Sequence, residues 1–242
     1  MVTESIHIVP LDGEKPSQFA ERVGRGYADA SVQKDKKHKG QFFTPLAISQ
    51  FMGNLSTPSE KNSVSVLDPG CGLAILSCAL IEHLVEDSKL ETIALTLYET
   101  DKNVVPLTGL VLSYLQEWCK RQGIRLNYQL NESDFVLDKC EYLDSDDSIF
   151  GAINAGERFD YIISNPPYFK LAKDDVHTRS CASIVDGQTN IYALFMAICT
   201  KLLEDDGQMI FITPRSFASG RYFQSFRDFL FRHVHIDLIH LF

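Results

Sequence analysis

The residues best suited to chemistry lie in the run Ser164-Asn165-Pro166-Pro167-Tyr168, which follows an apolar stretch. Two consecutive prolines fix φ at both positions, remove two backbone donors and hold each preceding residue in extended geometry. The corner therefore presents two acceptors, the side-chain oxygen of Asn165 and the carbonyl of Pro166, followed by the ring of Tyr168. Such a corner suits alkylation of an amine with a delocalised lone pair, because two acceptors can hold its N–H groups while a stacked ring aligns the flat molecule with an electrophilic methyl group. We predict four catalytic residues, Asn165, Pro166, Pro167 and Tyr168, although an Asn-Pro turn beside a packing tyrosine is common in isolation.

A glycine-rich run follows an earlier apolar stretch and consists of Asp68-Pro69-Gly70-Cys71-Gly72. Glycines let a backbone approach a ligand closely, and the helix predicted to follow offers free N–H groups at its N-terminus. In open α/β sheets ligands bind beyond the carboxyl ends of the strands, which is where this run lies. We expect Asp68 to bind a ligand ammonium, with a plain tight turn as the alternative. The third glycine of a dinucleotide site is absent, which disfavours NAD.

Two further acidic positions stand at predicted strand ends. Glu99 follows the second strand about 30 residues after the glycine run, where a carboxylate can hold both hydroxyls of a ribose. Asp101 competes for this role, and either carboxylate alone would be typical of a solvated loop. Asp134 and Phe135 follow the third strand and could meet the exocyclic amine and ring face of an adenine, whereas Phe135 taken alone is typical of a core residue.

The elements that must position these residues alternate between strand and helix patterns. Apolar runs predict strands at 64–67, 92–98, 124–130, 159–164, 207–213 and 236–242. Helical periodicity predicts helices at 16–32, 74–85, 104–122, 190–203 and 222–233, with loops over the acidic stretch to Gly156 and over 170–187. Thr44 and Pro45 are expected to be the N-cap and first residue of another short helix. The βαβ order predicts an α/β, Rossmann-like fold with a mostly parallel sheet and helices on both faces.

This order divides the chain into a helical arm over residues 1–60 and a catalytic domain over residues 61–242. The chain stops within the sixth predicted strand, whereas native chain ends are usually polar and frayed. We therefore expect the sequence to be a fragment of a longer protein.

Together these motifs resemble those of S-adenosylmethionine-dependent N6-adenine DNA methyltransferases of restriction–modification systems, in the gamma arrangement. The resemblance covers residues 40–242. Gly40-Gln41-Phe42-Phe43-Thr44-Pro45 is similar to the family's upstream motif, in which an aromatic residue and the Thr-Pro corner pack against the methionine part of the cofactor. The glycine run is similar to the cofactor loop, Glu99 to the ribose-binding acid, and Asp134-Phe135 to the adenine-side motif. The corner at Asn165 is similar to the catalytic motif, and Asn165 is also expected to contact the cofactor.

The resemblance implies a class I methyltransferase fold, S-adenosylmethionine as cofactor, and an adenine flipped out of duplex DNA as substrate. It also implies a cognate restriction endonuclease as a partner. Two departures stand out: Leu73-Ala74 follows Gly72 where the family often has a further glycine, and the chain ends before the family's strand hairpin, late aromatic residue and target-recognition domain.

Composition is consistent with an ordinary globular domain and sets limits on other functions. The net charge is −9, with acidic residues concentrated in 132–160, while lysines 34, 36, 37 and 39 form a basic run that could contact phosphate or be a solvated loop. The six cysteines include no C-x-x-C pair and the seven histidines show no ligand spacing, so we expect no metal. No membrane-spanning run or signal peptide is evident, which predicts a cytoplasmic protein.

Three alternatives stay open at this point. The same Asn-Pro-Pro-Tyr corner occurs in protein N5-glutamine methyltransferases and in some RNA guanine-N2 methyltransferases, which usually lack an upstream Thr-Pro motif. A third alternative is a truncated, non-catalytic remnant that binds the cofactor.

Overall fold

A computed structural model of the chain describes residues 9–30, 43–86, 89–143, 157–181, 190–220 and 223–241. Within this part, five strands form one sheet: β1 (Ser63–Asp68), β2 (Thr92–Tyr98), β3 (Arg125–Asn131), β4 (Phe159–Ser164) and β5 (Leu203–Phe211). Their order is β3-β2-β1-β4-β5, and each neighbouring pair is parallel. The α/β prediction is therefore confirmed.

The helices cover both faces of this sheet. They are α1 (Pro16–Ala30), α2 (Leu46–Asn54), α3 (Ile75–Leu84), α4 (Val105–Arg121), α5 (Phe135–Lys139), α6 (Val176–Ser180), α7 (Ile191–Leu202), α8 (Ser216–Ser219) and α9 (Gln224–His233). Helices α1 to α4 pack on one face, and α5, α7 and α9 pack on the other. Helix α7 is apolar on all sides and almost wholly buried, as expected for a helix enclosed between the sheet and other helices.

The sheet order places the glycine run and the proline corner next to one another. From β1 the chain continues outward to β2 and β3, whereas from β4 it continues to β5 on the other side. A crevice opens where the strand order reverses, outside the carboxyl ends of β1 and β4. Those two ends carry Asp68 and Ser164, so the glycine run and the proline corner meet at this crevice.

The N-terminal arm shares one hydrophobic core with the sheet. Phe19 and Val23 of α1 and Met52 of α2 are buried in the same cluster as β1, β2 and α3. At Gly53 a Cβ would lie 2.7 Å from the carbonyl oxygen of Ala79, so only glycine lets α2 approach α3 this closely.

The arm is also fixed by a polar contact at its start. The backbone N–H and the hydroxyl of Ser17 donate to the two carboxylate oxygens of Glu82, at 2.6 and 2.8 Å. Glu82 lies on α3, so a buried side chain of one helix satisfies a free N–H at the first turn of another.

Three predictions about where strands and helices lie need correction. The predicted strand at 236–242 is wrong for its described residues: 234–241 form no strand, and Leu238, Ile239 and Leu241 are 62%, 59% and 67% exposed. Alternating apolar residues form a strand only beside a partner, and no described strand pairs with this segment. Short helices, α5 and α6, lie within the two stretches predicted to be loops. Strand β5 begins at Leu203, four residues before the predicted start.

Among the described residues, no helix has both the length and the apolar character needed to span a bilayer.

Candidate active site

The proline corner at Asn165 is held by contacts with two segments that are distant in sequence. The Asn165 amide Nδ2 donates to Thr44 Oγ1 at 2.9 Å. On the other side of the amide, the Tyr168 hydroxyl contacts Asn165 Oδ1, and it lies 2.9 Å from the carbonyl oxygen of Ile212. These contacts orient the amide with its nitrogen toward the arm and its oxygen toward Tyr168. The sequence predicts Asn165 Oδ1 to be an acceptor for the substrate, and in the structure this oxygen is contacted by the Tyr168 hydroxyl.

Thr44 does not cap the helix that follows it, so that prediction is wrong. Pro45 occupies the N-cap position, with φ −60° and ψ 146°, and makes no side-chain capping bond. The buried hydroxyl of Thr44 is used by Asn165 instead. A free amide of the first turn, that of Leu46, donates to Glu21 of α1 at 3.2 Å.

Tyr168 is part of an aromatic group on the side of the corner away from the arm. Its ring meets Tyr192 edge-on with centroids 6.2 Å apart, and Tyr192 stacks on Phe223 at 5.7 Å. Burial is the main cause that raises the pKa of Tyr168, and the neighbouring Tyr192 raises it further. The hydroxyl is therefore protonated at neutral pH and acts as a donor.

The glycine run forms a tight loop bonded to the neighbouring strand. The amide of Cys71 donates to the carbonyl of Tyr98 at the end of β2, at 3.0 Å, and Thr108 donates to the carbonyl of Gly72 at 2.6 Å. Gly72 has a φ of +52°, which favours glycine. Ala74 follows with a φ of +57°, so the position where the family often has glycine adopts a glycine-like conformation with alanine.

Asp68 lies wholly beneath this loop, with 0% exposure. Its Oδ2 accepts from Ser77 at 2.7 Å, while its buried Oδ1 has no hydrogen-bond partner in the described part of the chain. Burial raises the pKa of Asp68 to about 7, offset in part by Ser77 and the Gly70 amide. An unpartnered buried carboxylate oxygen is costly, and a ligand donor would relieve that cost.

The two carboxylates after β2 have different roles. Asp101 is buried, accepts from the amide and side chain of Asn103, and offers its carbonyl to the first turn of α4. Glu99 is half-buried at the strand end, accepts from the Asp101 amide at 2.6 Å, and burial raises its pKa. The hydrogen bond from the Gly72 amide acts against that shift and ties Glu99 to the glycine loop. Glu99 is therefore the better placed of the two to meet a ligand.

Asp134 and Phe135 both have partners within the protein. Asp134 Oδ1 caps α5 by accepting from the Leu137 amide at 3.0 Å, and its Oδ2 lies 3.1 Å from His177 Nε2. Phe135 is buried and packs against the rings of Tyr98 and Phe195, each with centroids 5.2 Å away. The contact of Phe135 with an adenine ring stays a prediction, since the structure places that ring in the core.

Two aromatic residues beside the glycine loop were not singled out from the sequence. A Cβ at Gly70 would lie 3.4 Å from the ring of Phe195, and a Cβ at Gly72 would lie 3.6 Å from that of Phe43. The signal for Phe43 was the paired aromatic run before Thr44. The adjacent Phe42, which the motif predicts to contact the cofactor, lies outside the described residues. The lysines at 34, 36, 37 and 39 do so as well.

A cavity of about 360 Å³ lies between the arm and the residues that follow the glycine run. It is lined on one side by Phe43, Thr44 and Pro45 and on another by Leu73 and Ile75, with α1 completing the wall. This cavity adjoins the hydroxyl that holds Asn165.

Sequence comparison relates the chain to restriction–modification proteins. Residues 79–242 match the family model described as Eco57I restriction-modification methylase. The chain is 32% identical over 209 residues to the type II methyltransferase M.BsuBI of Bacillus subtilis, covering 86% of this chain and 40% of that protein. It is 27% identical over 219 residues to M.PstI of Providencia stuartii, covering 90% of this chain and 41% of that protein. The chain therefore spans about two fifths of the length of these relatives.

Solved structures share the fold. A protein of Listeria monocytogenes described as a class I S-adenosylmethionine-dependent methyltransferase superposes with a TM-score of 0.63 at 16% identity, over 93% of this chain and 62% of that one. A type I restriction-modification methyltransferase subunit of Streptococcus thermophilus superposes with a TM-score of 0.60 at 15% identity, over 93% of this chain and 45% of that one. The fold is that of class I methyltransferases, as the sequence predicted.

Proposed function

Because the chain belongs to the Eco57I restriction-modification methylase family, we propose that it transfers a methyl group from S-adenosylmethionine to the N6 amine of an adenine in duplex DNA. The observation that carries the proposal is the Asn165 corner, oriented by Thr44 and Tyr168 at the crevice shared with the glycine loop. A restriction endonuclease with the same target is the partner we propose.

The residues around the glycine loop fit S-adenosylmethionine, the cofactor that the family and fold imply. The unpartnered Oδ1 of Asp68 suits the ammonium group, the half-buried Glu99 suits the ribose hydroxyls, and Asp134 suits the adenine amine. The wall formed by Phe43, Thr44 and Pro45 suits the apolar methionine chain. When bound, the cofactor supplies an electrophilic methyl group on a sulfonium.

The acceptors of the corner would prepare the amine for attack. Asn165 Oδ1 and the Pro166 carbonyl take the two N–H groups of the amine, which draws its nitrogen toward tetrahedral geometry and directs its lone pair outward. The amine replaces the Tyr168 hydroxyl on Asn165 Oδ1, and that hydroxyl keeps the Ile212 carbonyl as its acceptor. With the cofactor held by Asp68, Glu99 and Asp134, its sulfonium would supply the methyl group that this lone pair takes, and the surplus proton of the amine would pass to solvent. Positioning supplies most of the rate enhancement.

The target base must leave the duplex for this to happen. The N6 amine of a stacked adenine cannot reach a pocket of this kind, and flipping costs a few kcal/mol of stacking and pairing. Stacking on an aromatic ring is worth roughly 1–3 kcal/mol per base, so Tyr168 would offset part of this cost.

A labelled methyl-transfer assay tests the proposal. Duplex DNA is incubated with the chain and S-adenosylmethionine carrying a labelled methyl group, and the digested nucleosides are separated. We expect label in N6-methyl-2′-deoxyadenosine, with a loss of about 10²-fold or more for Asn165→Ala.

Asn127→Ala, at an exposed asparagine of β3, is the matched control and should keep full activity. Label in deoxycytidine would refute the assignment, as would label in guanine or in a glutamine side chain when RNA or a protein replaces the duplex. Family membership favours DNA over the glutamine and RNA alternatives, which pose the same geometric problem at the corner.

A further inference from the structure

One histidine joins the segment after the catalytic corner to the acid at the end of β3. His177, in α6, places Nε2 at 3.1 Å from Asp134 Oδ2 and Nδ1 at 2.7 Å from Asp175 Oδ1. Its side chain is 18% exposed. Asp134 lies 43 residues away in sequence. This contact connects α6 to a carboxylate that we propose to be part of the cofactor site.

Both carboxylates are already fixed by backbone amides. Asp134 Oδ1 accepts from the Leu137 amide, and Asp175 Oδ1 accepts from the amide of His177 itself at 2.9 Å. The imidazole is thus held between two anchored acceptors. Asp134 keeps room for another donor, because its side chain is 40% exposed and a carboxylate oxygen has two lone pairs.

The protonation state of the ring decides whether both bonds exist. An imidazolium donates from both nitrogens, whereas a neutral imidazole has one N–H, so one carboxylate then faces a lone pair. Burial lowers the pKa of His177, but the hydrogen bonds to Asp134 and Asp175 outweigh that effect and raise the pKa above 6.5. The other charged group acting on the cluster, within the described residues, is Arg179, which acts on Asp175.

We propose that His177 is a positioning residue for Asp134: as an imidazolium it holds the Asp134 carboxylate in the orientation that receives the adenine amine of S-adenosylmethionine, and it couples α6 to the filled cofactor site. This inference rests on the proposed function, because it takes Asp134 to be the adenine-side acid. Cofactor binding weakens when the imidazolium loses a proton. By linkage, bound cofactor strengthens proton binding at His177 by the same factor.

The sign of the pH dependence follows from the raised pKa. The bridge is complete below about pH 6.5 and is lost as pH rises through the raised value. The α-amino group of the cofactor titrates in the same range, near pH 8, so the comparison between variants is the useful readout.

The test is calorimetric titration with S-adenosylmethionine at about pH 6 and about pH 9, together with NMR titration of the His177 ring with and without cofactor. Between these pH values the wild-type Kd should rise several-fold more than the Kd of His177→Gln, whose neutral amide cannot serve both carboxylates. Asp175→Asn removes one partner of the imidazolium. The pH midpoint of the change in Kd should therefore lie at lower pH in this variant than in the wild type. His235→Gln, at a ring 91% exposed, should behave like wild type.

Equal pH dependence in wild type and His177→Gln, or a His177 titration that the cofactor leaves unchanged, would overturn the inference. An unmoved midpoint in Asp175→Asn would overturn it even if His177→Gln folds poorly. The proposed function fails separately, through absent cofactor binding or methylation of a group other than adenine.

Discussion

At the scale of single residues, the main problem at the proposed catalytic corner is the direction of an amide. The two ends of an asparagine side chain have nearly the same shape, yet only the oxygen can accept a substrate N–H. In the structure the Thr44 hydroxyl accepts from the nitrogen end of Asn165, and Thr44 belongs to the arm, 121 residues earlier. The upstream Thr-Pro motif therefore acts on the corner as well as lining the cavity beside α1.

Removing that acceptor should impair the reaction more than the fold. In Thr44→Val the Asn165 nitrogen loses its partner, at a cost of about 1–2 kcal/mol, so we expect the single-turnover rate of methyl transfer to fall roughly tenfold. Thr44→Ser keeps the hydroxyl and should retain most of the rate. Rapid-quench measurements with saturating cofactor would reveal this difference. Equal rates in the two variants would show that the hydroxyl does not orient Asn165.

Asp68 is a buried carboxyl group whose ionisation lowers the stability of the folded chain. Because its pKa rises from 3.8 to about 7 on folding, the folded chain binds this proton more tightly, and stability falls as pH increases from about 4 to about 7. Asp68→Asn should therefore raise the free energy of unfolding at about pH 8 by roughly 1–3 kcal/mol, with a much smaller change at about pH 4, while abolishing cofactor binding. Urea unfolding without cofactor measures the first effect and calorimetry the second. An equal change at both pH values would contradict the role of ionisation.

At the scale of secondary structure, the arm is attached by one helix capping another. Glu82 of α3 accepts two hydrogen bonds from Ser17 at the start of α1, and α2 packs tightly on α3 through Gly53. The arm carries Thr44 between these helices. The stability of this junction should therefore control how firmly the corner is held.

The Glu82 junction should also respond to pH in a defined direction. Burial raises the pKa of Glu82, against the opposing effect of the Ser17 hydrogen bonds, so its charged form is disfavoured in the folded chain. Glu82→Gln does not titrate. The free energy of unfolding of the wild type, relative to that of Glu82→Gln, should thus be highest near pH 4. This difference should decrease as pH rises through the raised pKa of Glu82. Denaturant unfolding at a series of pH values measures the difference, and a difference that grows with pH would refute this account.

At the scale of the whole molecule, a sheet with reversed strand order brings the arm, the glycine loop and the proline corner to one crevice. The strands of this sheet were predictable because buried parallel strands are short apolar runs: β2 and β4 were predicted with the observed bounds. The segment 236–242 has the same pattern but no described partner strand, and pairing cannot be deduced from one strand alone.

Contacts across the fold were the least predictable feature. Thr44 has the type and position of an N-cap, and only the folded chain shows that Asn165 takes its hydroxyl. His177 showed no ligand spacing because its partner in the structure, Asp134, is distant in sequence. Local patterns thus predicted the motifs, whereas the residues that orient them became visible only in three dimensions.

The contact between the Tyr168 hydroxyl and the Asn165 oxygen has a consequence for turnover. In the proposed reaction, the unmodified amine brings two N–H groups and satisfies both acceptors of the corner, whereas the methylated amine retains one. After transfer one acceptor is left without a partner, and the tyrosine can reclaim the Asn165 oxygen without moving away from Ile212. The resting contact would then disfavour the modified base, speed its release and reduce rebinding at sites that already carry the mark.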